Sequence, residues 1–207
     1  MKIPIIHESL RRYSPLEITD QPVARAAVAV VLQEGHRGLE FLAIRRSERA
    51  GDPWSGHMAL PGGRMEQGDA SLTATAVRET FEEVGIDLSI GSTHLGQLDD
   101  LRAVSRGRPL DLVISPFVFA LDSPRTPLPN PMEVQAAYWI PLHVLVEQDP
   151  RRSIEPQAQR FEEQGLPAFV HEGNSIWGLT YRMLTSLLDV VQGSGDIGSR
   201  PHVVLVR

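Results

Sequence analysis

Residues 61–86 read PGGRMEQGDASLTATAVRETFEEVGI, and the fold turns on how this stretch is read. From Ala70 to Val84 the pattern has a helical period, with Val77, Phe81 and Val84 on one face and Gly85 where a helix C-cap belongs. On that helix Glu79, Glu82 and Glu83 fall at i, i+3 and i+4. This spacing puts three carboxylates on one face, opposite Val77 and Val84. Like charges so placed repel by about a few tenths of a kcal/mol per pair, so the helix gains nothing from them unless a cation sits among them. Hard divalent cations such as Mg²⁺ take oxygen ligands from carboxylates and from substrate phosphates. Arg78, four residues before Glu82, can support one of the carboxylates. Gly62 and Gly63 allow a tight backbone and can offer a carbonyl oxygen to the same ion. Taken alone, the R-E-x-x-E-E string also reads as a solvated charged face.

Upstream, Ala26 to Leu32 (AAVAVVL) is a short apolar run that suits a buried strand. Leu39 to Ile44 (LEFLAI) is a second strand across the QEGHRG turn. Ser47 to Ser55 reads as a loop, and Met58 to Leu60 as a strand end stopped by Pro61-Gly62-Gly63. Downstream, Leu95 to Val104 and Leu110 to Leu121 form a hairpin around SRGRP. Ser123 to Met132 (SPRTPLPNPM) carries four prolines and reads as an irregular loop. Ala136 to Ile140 reads as a strand, followed by a short helix from His143 to Val146. Residues 149–168 read as loop, and Phe169 to Ile176 as a strand pair turning at Glu172-Gly173-Asn174. Leu179 to Val191 reads as an amphipathic helix and Val203 to Val206 as a last strand. Strands and helices alternate irregularly, which indicates an α/β domain on a mixed sheet. Residues 1–21 are an N-terminal arm or short helix, and residues 22–207 a single domain.

The chain has 207 residues and no cysteine. It therefore has no disulfide scaffold, thiolate zinc site or cysteine nucleophile, and its length is ample for a core without such staples. A net charge of −6 argues against a protein held on nucleic acid by bulk charge. No run approaches the roughly 18 apolar residues of a membrane span. The N-terminus lacks the long apolar segment of a secretory leader. A cytoplasmic protein, with neither nucleic acid nor membrane as partner, is the expectation.

With its loop and both ends included, residues 63–86 resemble the Nudix box, G-x5-E-x7-R-E-U-x-E-E-x-G-U with U aliphatic. Gly63 matches the opening glycine, and Arg78 through Ile86 (RETFEEVGI) the close. The match departs in three ways. The spacing between Gly63 and Arg78 is one residue longer than the general box, Asp69 stands for the first glutamate, and Thr80 for an aliphatic residue. The coenzyme A pyrophosphatase branch of the family tolerates this shape. Two further stretches are similar to that branch: Phe41 to Ser47 (FLAIRRS), ending in an Arg-Ser pair, and Ile176 to Leu184 (IWGLTYRML). The branch's G-x3-F-P-G-G is kept in part as Gly56-His57-Met58-Ala59-Leu60-Pro61-Gly62-Gly63, while Asp52 holds the place of its upstream arginine.

The resemblance implies a Nudix fold, a mixed β-sheet sandwiched between helices. It also implies a Mg²⁺- or Mn²⁺-dependent hydrolase that cleaves the diphosphate of a small nucleoside diphosphate derivative, here coenzyme A or its acyl esters. ADP-ribose or a dinucleotide is the alternative substrate, and a non-catalytic nucleotide-binding module the alternative role. Carried over residue by residue, Glu82 and Glu83 are the metal ligands, with the carbonyl of Gly62 or Gly63. Glu79 is a further ligand or the base that takes a proton from water. Arg78 orients the carboxylates, and Asp69 supports the loop. Many relatives add an acid from outside the box. Glu133 is the candidate here, a solvated loop acid being the other reading. Arg45, Arg46 and Arg64 are candidate phosphate donors, with at least one of them a solubilising surface residue instead. Trp54 and Trp177 read as packing residues, and His57 as a loop histidine rather than a general base.

Overall fold

The computed structural model describes residues 1–19, 24–49, 51, 54–105, 108–149, 160–161 and 166–193. Its centre is strand β1 (Ala24–Gly35), which pairs antiparallel with β2 (Gly38–Arg46) and parallel with β7 (Arg108–Leu121). Alternate residues of β1 enter two different cores. Val30 and Leu32 join one apolar cluster, and Ala27, Ala29 and Val31 the other. A strand covered on both faces has no solvent side to mark with polar residues, so its sequence runs apolar without a break.

The eight-stranded sheet runs β3 (Met58–Ala59), β2, β1, β7, β5 (Ser92–Gln97). Three strands branch from this path: β4 (Gly62–Arg64) pairs with β1, β6 (Leu101–Ser105) with β7, and β8 (Val134–Pro141) with β2. On one face lie α1 (Ile3–Arg12), α3 (His143–Gln148) and α4 (Gly178–Gln192), around a core that includes Ile6, Phe41, Leu145, Leu184 and Leu188. On the other lies α2 (Leu72–Val84), over Ala29, Val31, Leu42, Ile44 and Phe119. This is the expected mixed sheet between helices. A second small sheet joins β9 (Arg160–Phe161), β10 (Leu166–His171) and β11 (Asn174–Trp177). Its hairpin turns at Glu172-Gly173, both with positive φ (49° and 77°), as a tight two-residue turn requires.

Several local expectations shift. Gly62–Arg64 does not merely stop a strand. It forms β4, antiparallel to β1 with Val28 opposite Gly62 and Ala27 opposite Gly63. The proposed strand from Leu95 divides into β5 and β6, separated by Leu98, Asp99 and Asp100. The loop expected over 149–168 contains β9 and the start of β10. The N-terminal arm is helical and packed: Ile6 and Leu10 are buried, and α1 lies against α4 and β5. The Tyr13 hydroxyl donates to Asp99 at 2.7 Å and the Ile18 amide to Asp100 at 2.9 Å, so the segment after α1 is also held to the sheet. The strand expected at Val203–Val206 and the acid Asp52 lie outside the described residues.

Helix α2 packs differently from its apolar pattern. Phe81 is 56% exposed, while Thr75, Ala76, Thr80, Glu83 and Val84 are buried. The sheet covers the stripe through Ala76, Thr80 and Val84, so Phe81 falls on the solvent side. Thr80 fits an apolar position because its hydroxyl donates to the Ala76 carbonyl at 2.7 Å, which leaves only the methyl to pack. The helix begins at Ser71, whose side chain accepts from the Ala74 amide at 3.1 Å. It ends at Gly85, in the left-handed conformation with φ 68°, whose amide donates to Phe81 O.

Candidate active site

The loop before α2 and the first turns of the helix are joined through Asp69 and Arg78. The guanidinium of Arg78 holds Asp69 in a fork, Nε to Oδ1 and an Nη2 atom to Oδ2, both at 2.9 Å. Asp69 also accepts from the Glu66 amide and the Thr75 hydroxyl, each at 2.9 Å. The guanidinium beside it holds Asp69 well below the usual carboxylate range. Asp69 is thus a brace for the loop. Arg78 continues past it, donating to Glu79 and Glu82 at 2.9 Å and to the Arg64 carbonyl at 3.1 Å.

Beyond Arg78 the acids separate by burial. Glu83 is 3% exposed and accepts from the Gly62 amide at 2.9 Å. Glu82 keeps 49% of its side chain in solvent, against Arg78. Oxygen atoms of Glu79, Glu83 and Glu133 all lie within 4.8 Å of one another. Glu82, expected beside Glu83, is not in this trio among the described residues. Burial pushes the Glu83 carboxyl up to about 8, against the opposing effects of the Gly62 amide and the charge of Arg46. Burial also raises Glu79, with Arg78 acting against it.

Both glycines of the Pro-Gly-Gly loop serve this geometry. A Cβ on Gly62, whose φ is 150°, would meet the Ala27 carbonyl and sit 2.6 Å from Val28 Cα. A Cβ on Gly63 would collide with the Glu79 carboxylate. The first glycine therefore lets β4 dock on β1, and the second leaves room for the acid.

Glu133 is brought in by the proline-rich loop. Prolines 127, 129 and 131 have no N–H, but the residues between them do. Leu128 N donates to the Val84 carbonyl at 2.8 Å and Asn130 N to the Glu83 carbonyl at 2.9 Å. These are open acceptors at the end of α2. The loop thus caps the helix that carries Glu79 and Glu83, and Glu133 follows three residues later. The only sequence signal for this was an acid placed after a run of prolines.

The arginine candidates divide. Arg46 lies near enough to Glu83 to oppose its protonation. Arg64 is exposed, on the strand that accepts from Arg78. Strand alternation puts Arg45 with Phe41 and Ala43, on the sheet face opposite α2. His57 meets Trp177 edge-on, with ring centroids 4.8 Å apart, at the entry to α4.

The NUDIX domain profile matches residues 23–162. An uncharacterised protein of Schizosaccharomyces pombe is 35% identical, over 78% of this chain and 54% of its own length. The human mitochondrial coenzyme A diphosphatase NUDT8 is 33% identical over 76% of this chain and 65% of its own. The peroxisomal coenzyme A diphosphatase ndx-8 of Caenorhabditis elegans is 31% identical over 64% and 57%. The chain thus spans between about half and two-thirds of these relatives. The solved NUDIX hydrolase from Alicyclobacillus acidocaldarius, 18% identical, superposes over 82% of this chain and 92% of its own with a TM-score of 0.51, a likeness of fold. No helix among the described residues is long and apolar enough to cross a membrane.

Proposed function

This chain belongs to the Nudix hydrolase family, and from that premise we propose that it is a divalent-metal-dependent pyrophosphatase acting on coenzyme A or its acyl esters. The observation that carries the reading is the convergence of Glu79, Glu83 and Glu133 beside an anchored Arg78. Three hard oxygen donors in so small a space suit Mg²⁺ or Mn²⁺. Burial raises the cost of charge on Glu79 and Glu83, a cost that a bound cation would offset. Glu83, Glu79 and Glu133 would hold the ion, with Glu82 and the Gly62 or Gly63 carbonyl bordering it. A bound divalent ion supplies charge stabilisation for phosphoryl oxygens and makes water more acidic.

The protein's own groups do the rest in this reading. Arg78 keeps Glu79 in register with the loop through its simultaneous hold on Asp69. Glu79 or Glu133 accepts the proton of the attacking water. Arg46, whose charge bears on Glu83, and the exposed Arg64 are the proposed donors to the diphosphate. Two diphosphatases of coenzyme A among the relatives support the substrate. Asp52, where the branch carries an arginine, favours a looser hold on a 3′-phosphate, and ADP-ribose or a dinucleotide is the second reading on that ground. The cytoplasm belongs to the same proposal as the setting read from composition, while the two diphosphatases are named mitochondrial and peroxisomal.

The test is a panel of coenzyme A, 3′-dephospho-coenzyme A, ADP-ribose and dinucleoside polyphosphates with Mg²⁺ or Mn²⁺. Cleavage of coenzyme A to adenosine 3′,5′-bisphosphate and phosphopantetheine, abolished by EDTA and restored by metal, is the expected result. Turnover of ADP-ribose with coenzyme A untouched selects the second reading. Full activity without metal overturns the mechanism.

A further inference from the structure

Three successive carbonyls at the end of the proline-rich loop accept hydrogen bonds from the segment that leaves β2. The Ser47 hydroxyl donates to the Pro131 carbonyl at 3.1 Å, the Arg49 guanidinium to the Met132 carbonyl, and the Ser47 amide to the Glu133 carbonyl at 2.9 Å. The Arg49 amide is itself tied to the Ser55 hydroxyl at 2.8 Å, so the clamping segment is anchored to its own loop. Chemically the arrangement answers a particular problem. A stretch with proline at every second position cannot join a ladder through its own amides. Its remaining amides, Leu128 and Asn130, are already given to the end of α2. The carbonyls are then left to be held from the other side, and Ser47 and Arg49 hold them. The last of the three belongs to Glu133, whose carboxylate is one of the trio.

We propose that Ser47 and Arg49 are positioning residues: they clamp the backbone of residues 131–133 and so keep Glu133 against Glu79 and Glu83. The proposal rests on the reading of that trio as a metal centre. It gives Ser47, the serine of the Arg-Ser pair, and Arg49 beyond it a structural task in building the centre. A role in gripping the nucleotide is a different assignment with a different kinetic signature.

The experiment measures Mn²⁺ binding by electron paramagnetic resonance without substrate, for Ser47→Ala, Arg49→Ala, the double variant and Ser47→Thr. Wild-type binding of Mn²⁺ and its hydrolysis of any diphosphate test the functional reading separately. With those in hand, the double variant should weaken Mn²⁺ roughly threefold to tenfold, the scale of one net hydrogen bond, because both clamping bonds are exposed to solvent. Ser47→Thr, which keeps the hydroxyl, should restore binding relative to Ser47→Ala. In steady state kcat falls at fixed metal, while KM for the nucleotide stays within about twofold at saturating metal. In a Glu133→Ala background the same substitutions should have no further effect on Mn²⁺ affinity, because the group they position is gone. Additive losses in that background, or unchanged Mn²⁺ affinity with a raised KM, overturn the proposal and assign the pair to the substrate. If the double variant fails to fold, the single variants and Ser47→Thr carry the comparison.

Discussion

Replacing Asp69 with asparagine keeps the side chain's size and removes the charge that Arg78 grips. In the structure Asp69 accepts four hydrogen bonds: two from Arg78, one from the Glu66 amide and one from the Thr75 hydroxyl. An asparagine has one acceptor oxygen, and both Asp69 oxygens accept from Arg78, so in either orientation its amide nitrogen meets a guanidinium donor. Hydrogen bonds to charged groups are each worth about 1.5–3 kcal/mol. The Asp69 side chain is only 6% exposed, while that of Arg78 is 24% exposed, which weakens the pair somewhat. The expected loss is about 2–4 kcal/mol, or a melting temperature lower by roughly 5–12 °C for a domain of this size. Thermal unfolding followed by circular dichroism between pH 7 and pH 2 measures it. The sign follows from the depressed Asp69 pKa. The stabilisation is complete above the ordinary carboxylate value and is lost as pH falls through the lowered folded-state value. Wild type and variant should therefore differ most at neutral pH and converge in strong acid. Equal melting at pH 7, or a gap that widens on acidification, would refute the reasoning.

Four other outcomes follow from the same geometry. With Glu83 raised to about 8, the metal-free protein holds a proton there at pH 7, so Mn²⁺ binding should release close to one proton at pH 7 and almost none near pH 10. Calorimetry in buffers of different ionisation enthalpy counts it, and Glu83→Gln should release markedly less. Gly62→Ala should destabilise the fold by about 3 kcal/mol or more in chemical denaturation, since the new Cβ meets β1 backbone at a positive φ. Gly63→Ala should melt near wild type yet lose most of its kcat, because the nearest atoms to the new Cβ are those of the Glu79 carboxylate, which can move. Finally, Glu82→Gln should cost less in Mn²⁺ affinity than Glu83→Gln or Glu133→Gln, as Glu82 lies outside the trio; equal losses for all three would return it to the centre.

What the chain's order alone determined is local. The helical spacing of Glu79, Glu82 and Glu83, the Gly85 cap and the need for glycine ahead of the helix depend on residues a turn or two apart, where backbone geometry is nearly the same in every helix. The unbroken apolar run of Ala26 to Leu32 also announced a strand covered on both faces, because no solvent side asks for polar residues. Neighbouring acids are another matter. Glu82 and Glu83 stand about 100° apart on the helix, and nothing near them says which will face the sheet. The packing of α2 on β1 and β4 decides it, burying Glu83 against the Gly62 amide and leaving Glu82 with Arg78. The same packing put Phe81 in solvent, against its hydrophobicity. Glu133 is fifty residues from Glu83, and its place depends on proline-spaced amides finding the open carbonyls at the end of α2 and on Ser47 holding the other side. Those bonds join segments distant in sequence, so only the tertiary structure could say which three carboxylates meet.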